Sequence, residues 1–185
     1  VHSENGTVAL ASQQDINLDN ADVSANTINI YAEELKGKES GIVSGRLLAK
    51  NDISIEANTL GEFDRNTSLD AGNNLVISNN GSDEPIQFTN EGILKAGNKF
   101  SYDRSGSFVN AGEIQSANEL VVKADTIENR NIISSAKKAL LQASTSLTNT
   151  SGKISADEKL MMNAPEVLNS KGELASSKPI EIQLV

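Results

Sequence analysis

Paired carboxylates are the residues of this sequence best suited to chemistry. They stand at Glu33–Glu34, Asp83–Glu84 and Asp157–Glu158. Two carboxyl groups held across a glycosidic bond can act as general acid and base in polysaccharide cleavage. That chemistry requires the acids to converge on one face, and these pairs are scattered with no repeating column of acid. They read as solvated faces and loops. His2, the single histidine, lies at the very start of the chain, a poor place for imidazole catalysis or zinc ligation. The absence of cysteine excludes disulfides, thiolate metal sites and cysteine nucleophiles. Phosphate-loop and dinucleotide fingerprints are missing, as is the Gly/Asp nonapeptide of calcium-binding β-rolls. Asn-x-Ser/Thr sequons at Asn5, Asn66, Asn80 and Asn149 carry little weight in a chain with 21 Asn and 22 Ser. The expectation is a protein that is not an enzyme, with no cofactor and no metal.

Whatever elements position these residues must be built from an unusual composition. The 185 residues carry 16 basic and 25 acidic side chains, a net charge of −9, and only 3% aromatics. The length suits one domain with a real core. So acidic and Arg-poor a chain is a poor nucleic-acid binder. No apolar run approaches the roughly 18 residues of a membrane span, so membrane insertion is not expected. Short polar side chains fill nearly a quarter of the positions and compete for nearby backbone hydrogen bonds, which favours turns and strands over helices. The chain begins and ends abruptly and shows no signal peptide. It is expected to be a piece of something longer.

Spacing decides the architecture. Asn90, Asn110, Asn129, Asn149 and Asn169 recur at one interval, shortened by a single position only between Asn110 and Asn129. Two places before each stands an apolar residue: Phe88, Phe108, Ile127, Leu147 and Val167. Gly92, Gly112, Gly152 and Gly172 mark the following turn, then come Leu94, Ile114, Ile133, Ile154 and Leu174. A stronger strand follows, headed by Phe100, Leu120, Leu140, Leu160 and Ile180, with an apolar partner two places on in every copy except the Leu140 one, which has Gln142. Upstream heads at Ile28, Ile53 and Leu75 bring the count to eight coils. Residues 1–24 contain the phrase without a clear register.

Ala117, Leu120, Val121, Ala124 and Ile127 also fit helical spacing. Helical hairpin repeats, however, need about 33 residues or more, and the recurring Asn and Gly would break a continuous helix. A short unit with period-two apolar positions cannot bury its face alone, whereas stacked copies can. The chain is therefore expected to be all-β: a right-handed parallel β-helix with coils of about 20 residues, handed by the usual chirality of parallel crossovers. Residues 1–185 should form one solenoid segment, irregular with insertions over 1–89 and regular over 90–185. The Phe88–Val167 column becomes an interior ladder. The asparagines become a second ladder at a corner, where Asn tolerates left-handed backbone.

The phrase Asn-x-x-Gly-x-Ile-x-Ala, then Leu-x-Val-x-Ala-x-x-Leu-x-Asn, is clearest from Asn110 to Asn129 and from Asn149 to Asn169. It resembles the filamentous-haemagglutinin repeats of two-partner-secreted exoproteins, and the resemblance runs over about residues 25–185. It implies a segment of a long β-helical filament, exported through an outer-membrane β-barrel partner to the surface of a Gram-negative bacterium. Such filaments act as adhesins for a protein or glycan receptor on host or neighbouring cells, or as stalks and receptor-recognition regions of contact-dependent growth-inhibition toxins. A carbohydrate-active β-helix enzyme is a third reading, disfavoured by the scattered acids.

Insertions single out a candidate receptor surface. The closing apolar residue precedes the next short strand by six or seven residues in regular coils, but by 13 from Leu35 to Leu48 and by 9 from Leu60 to Leu69. Segments 36–46 and 61–66 should therefore stack into one protrusion carrying Lys36, Lys38, Arg46, Glu62, Asp64 and Arg65 around Phe63, which lies outside the apolar phrase. The ring is either exposed there or folded back onto the coil, in which case the insertions are tolerated decorations. Insertions in repeat proteins often map to the binding face. A further excess at residues 79–85 presents Asp83 and Glu84. Residues 1–92 hold 15 acids and 5 bases, whereas residues 93–185 hold 10 and 11, so the net negative charge belongs to the irregular half.

Overall fold

A computed structural model of the chain describes residues 1–36 and 42–185. Among these residues there is no helix, and every strand-to-strand ladder is parallel. The chain winds into a β-solenoid of about nine turns. The reason is visible in each strand. Ile53–Leu60 alternates buried and partly exposed positions, as does Glu119–Asn129, so every coil offers half its side chains to the interior and needs a coil above and below to cover its edges.

Three walls enclose the core. The first begins with the heads of the repeat: Val8 pairs with Ile28, Ile28 with Ile53, Ile53 with Leu75, Leu75 with Phe100, and Phe100 with Leu120. The second carries the column Phe88, Phe108, Ile127, Leu147 and Val167, each paired with the next. Both walls belong to one 15-stranded sheet, because long strands such as Glu119–Asn129 and Lys138–Thr150 run on from one to the other. The third is a separate 8-stranded sheet from Ala21–Ala25 to Glu173–Ala175. Its inward column contains Val23, Leu47, Leu69, Leu94, Ile114, Ile133 and Ile154.

Several sequence expectations require correction. The chain supplies one more turn than the eight heads imply, because Thr7–Ala11 is itself a first-wall strand and Ile16 stacks on Leu35 further round the coil. Leu140 is not a head. The register places Ala139 on Leu120 and Leu141 on Val122, with Leu141 fully buried and Leu140 on the outer face. The coil from Leu120 to Ala139 is one residue shorter than the coil from Phe100 to Leu120, and a one-residue slip sends every side chain to the opposite side. The length is restored at an irregularity after Ala124, where Thr126 pairs with Ser146. The same slip separates Leu47, which is buried, from Leu48, which is 37% exposed.

This register makes a direct expectation. Leu141→Ala should destabilise the protein by about 2–5 kcal/mol, the usual cost of truncating a buried Leu. Leu140→Ala should cost about 1 kcal/mol or less. Urea unfolding of the two variants measures the difference, and equal losses would contradict the assigned register.

Candidate recognition surface and the ladders that carry it

The asparagine column is an interior hydrogen-bonded stack. Asn90 Nδ2 donates to Asn110 Oδ1 at 2.9 Å, Asn110 to Asn129 at 2.9 Å, Asn129 to Asn149 at 2.8 Å, and Asn149 to Asn169 at 2.8 Å. The same amides reach the turn backbone, donating to the carbonyls of Gly92, Gly112, Asn131, Gly152 and Gly172. Asn90, Asn110 and Asn129 are completely buried. The left-handed backbone expected for this column is not what selects Asn. Among the described non-glycine residues only Asn20, Ser151 and Lys171 have positive φ. Asn is selected because a short amide can satisfy turn carbonyls and its own neighbour at once. Two glycines follow from the same packing: a Cβ on Gly152 would lie 2.4 Å from Asn129 Nδ2, and one on Gly172 2.2 Å from Asn149 Nδ2.

A second polar ladder lies at the corner between the third wall and the first. Asp52 Oδ1 accepts from Asn73 Nδ2, from the Asn74 backbone and from Asn74 Nδ2 at 2.9–3.0 Å. Asn98 donates to Asn74 at 3.0 Å, and Asn118 to Asn98 at 2.9 Å. The backbone joins too, from Asn51 to Asn26, Asn73 to Asn51, Asn98 to Asn73 and Asn118 to Asn98. The sequence reading missed this column although its signal is plain: Asn26, Asn51, Asn73, Asn98 and Asn118 each stand two places before a head.

The irregular half breaks the first ladder and replaces it with aromatic packing. Phe63 pairs with Asn90 on one side and Val43 on the other, so it occupies the asparagine column itself. It is completely buried, with its ring edge-on to Phe88 at 5.0 Å. Of the two placements open for Phe63, the exposed one is thus excluded: the ring is folded inward and fills the interior where the inserted coils have no asparagine. Segments 42–43 and 62–63 do stack, as short paired strands of the wall.

The charged members of the expected protrusion are distributed. Lys36 binds Asp15 at 2.7 Å and Glu34 at 3.0 Å, and these bonds hold its ammonium above the ordinary lysine range. Arg46 sits on the third wall with Asp22 at 3.2 Å. Asp64 closes the turn, accepting from the Asn66 backbone at 2.8 Å and from Thr67 Oγ1 at 3.3 Å. Glu62 and Arg65 project outward, Arg65 towards Glu91 at 3.4 Å. Lys38 falls outside the described residues.

The 79–85 loop is anchored more firmly. Asn58 Oδ1 accepts from the backbones of Asn80 and Ser82 at 3.0 and 3.1 Å, while Asn58 Nδ2 donates to Glu33 at 2.9 Å. Beneath it Arg104, 5% exposed, donates to the carbonyls of Ala57, Asn58 and Ser78. Burial draws its basicity below the ordinary arginine value. Glu33 and the 79–85 loop therefore share a corner, with Asp83 and Glu84 exposed. Asp157 and Glu158 lie on a turn several coils away. Among the described residues no group of three or more acids or histidines could hold a metal ion. His2 Nδ1 meets Ser24 Oγ at 2.5 Å on the exposed first edge.

Stacked parallel walls tied by two amide ladders define a repeat β-solenoid. Its sequence matches the haemagglutinin repeat over residues 2–57, 42–84, 84–160 and 138–183. The chain belongs to the haemagglutinin-repeat family. No curated protein and no solved structure matches it. Repeats of this family are typical of secreted or surface proteins of bacteria.

Proposed function

We propose that this chain is a filament segment of a secreted, surface-exposed bacterial exoprotein, exported through an outer-membrane β-barrel and acting as an adhesin or its stalk. The observation that carries the reading is the continuity of the interior. The first-wall column runs from Val8 to Leu160, while Glu62, Arg65, Asp83 and Glu84 of the acidic half lie exposed outside it. Such a rod sets the position of a binding surface at a distance from the cell. The charged residues of segments 36–46 and 61–66 form its recognition surface for a protein or glycan receptor, with Asp83 and Glu84 as a secondary loop. A second reading, the receptor-recognition region of a contact-dependent growth-inhibition toxin, draws on the concentration of insertions and net acid in residues 1–92.

Because Phe63 belongs to the core, the test must spare it. The combined variant Lys38→Glu, Glu62→Lys and Arg65→Glu reverses three charges of these segments. Beads coated with it should attach to receptor-bearing cells at least tenfold less than wild-type beads, with an unchanged circular dichroism spectrum. Unchanged attachment by the folded variant would exclude this surface.

A further inference from the structure

Two of the 21 asparagines, Asn5 and Asn80, precede a glycine. We propose that Asn80 is a site of spontaneous self-modification, where the side-chain amide cyclises onto the Gly81 backbone and leaves the 79–85 loop with a new carboxylate. Cyclisation requires the following backbone nitrogen to reach Cγ of the asparagine, and a Cβ on that following residue obstructs the approach. Gly81 has none. It sits at φ +93°, a conformation open to glycine, and nothing lies within 4 Å of where a Cβ would be. Asn80 is exposed, and its amide is engaged only by a long bond, 3.3 Å to the Ala32 carbonyl.

The other asparagines are worse placed. In the first ladder Asn90, Asn110, Asn129 and Asn149 hold their amides in short bonds inside the rod, and the exposed Asn169 donates to the Gly172 carbonyl at 2.9 Å. Each precedes a residue with a Cβ: Glu91, Ala111, Arg130, Thr150 or Ser170. At Asn5 the following Gly6 is tucked in, its Cβ position 2.7 Å from Ser3 Oγ and its carbonyl accepting from the Asn26 backbone at 2.9 Å.

The reaction balances without an oxidant or reductant. The Gly81 amide gives its proton to hydroxide and attacks Asn80 Cγ; the Cγ–Nδ2 bond breaks, and Nδ2 leaves as ammonia after taking a proton from water. Water then opens the resulting succinimide at either carbonyl, yielding aspartate or isoaspartate. Either product loses the donor that reached Ala32 and sets a negative charge beside Glu33 and Asp83. Isoaspartate also lengthens the backbone by one carbon. The loop irreversibly loses its bond to the Ala32 carbonyl, and a corner that already carries Glu33, Asp83 and Glu84 becomes more acidic with age.

Incubating the full chain in mildly alkaline buffer, then mapping tryptic peptides by mass and by isoaspartyl methylation, tests this. Asn80 should convert ahead of Asn5 and of every ladder asparagine, and much more slowly in mildly acidic buffer. Asn58→Ala, which removes the anchors of Asn80 and Ser82, should accelerate conversion several-fold. A synthetic peptide spanning residues 77–84 sets the unrestrained rate. If Asn80 stays intact in the folded chain after that peptide has fully converted, or converts no faster than Asn5, the assignment is wrong.

Discussion

Phe108→Ala is expected to cost about 3–5 kcal/mol, the upper range for emptying a packed aromatic site. Its ring is completely buried, 5.7 Å from Phe88 and 4.6 Å from Tyr102, and Phe88 in turn contacts Phe63. These four are most of the chain's six aromatic residues, gathered where the coils with insertions meet the regular ones. The hole cannot close by collapse, because the distance between coils is fixed by the parallel backbone ladders on every wall. Lys123→Ala, fifteen positions further along and on the outer face, removes only a surface ion pair with Asp103, so its cost should be about 0.5 kcal/mol or less. A solenoid transmits stability through nearest neighbours, so the loss should appear first in coils next to Phe108. Hydrogen exchange resolved along the chain will show it better than one melting temperature. Equal exchange profiles for the two variants would mean that Phe108 does not occupy the interior.

Most of the architecture is legible in the sequence because a solenoid is read twice, once along each coil and once down each column. Phe88, Phe108, Ile127, Leu147 and Val167 fall into one column from spacing alone, and they stack in that order. Failure comes where a coil changes length. Imposing the full period between Leu120 and Leu140 makes Gln142 an anomaly, and that anomaly is the clue: Ala139 and Leu141 restore the apolar pair. Small residues hide such slips, because Ala139 is a weaker hydrophobic mark than its neighbour Leu140. Phe63 is hidden for a different reason. It replaces an asparagine in a column defined by polarity, so no period-based reading could place it, and only three-dimensional pairing with Asn90 reveals its position. Surface residues are the least legible class. Lys36, Arg46 and Arg65 are grouped by sequence into one protrusion, yet each finds a separate carboxylate partner, Asp15, Asp22 and Glu91. Nothing in repeat spacing encodes which outward side chains meet.

Asn110→Ala should destabilise the protein by about 3–5 kcal/mol, the range reached when a buried hydrogen-bond network is broken. That is as much as losing the aromatic ring, although far less apolar area is removed. Asn110 Nδ2 serves Asn129 Oδ1, the Gly112 carbonyl and the Ile132 carbonyl, and its Oδ1 accepts from Asn90. Truncation deprives several buried groups at once, each at about 1–3 kcal/mol less whatever relaxation recovers. Asn110→Asp separates hydrogen bonding from packing. The carboxylate keeps the shape but cannot donate, and it is buried facing three oxygen acceptors without a cation. Its folded pKa should therefore rise above the ordinary aspartate value of about 3.9. For an acid whose folded pKa is raised, the neutral form favours folding. Stability should be greatest below about pH 4 and fall as pH rises from there through the raised folded value. Wild type has no carboxylate at this position to produce that slope. Asn131→Ala is the control, since this exposed side chain only reaches Ala111 at 3.4 Å, and its cost should be about 0.5 kcal/mol or less. Urea midpoints of the four proteins across this pH range decide the matter. If Asn110→Ala proves no worse than Asn131→Ala, or Asn110→Asp follows the wild-type pH profile, the amide stack is not what holds the corner of each coil together.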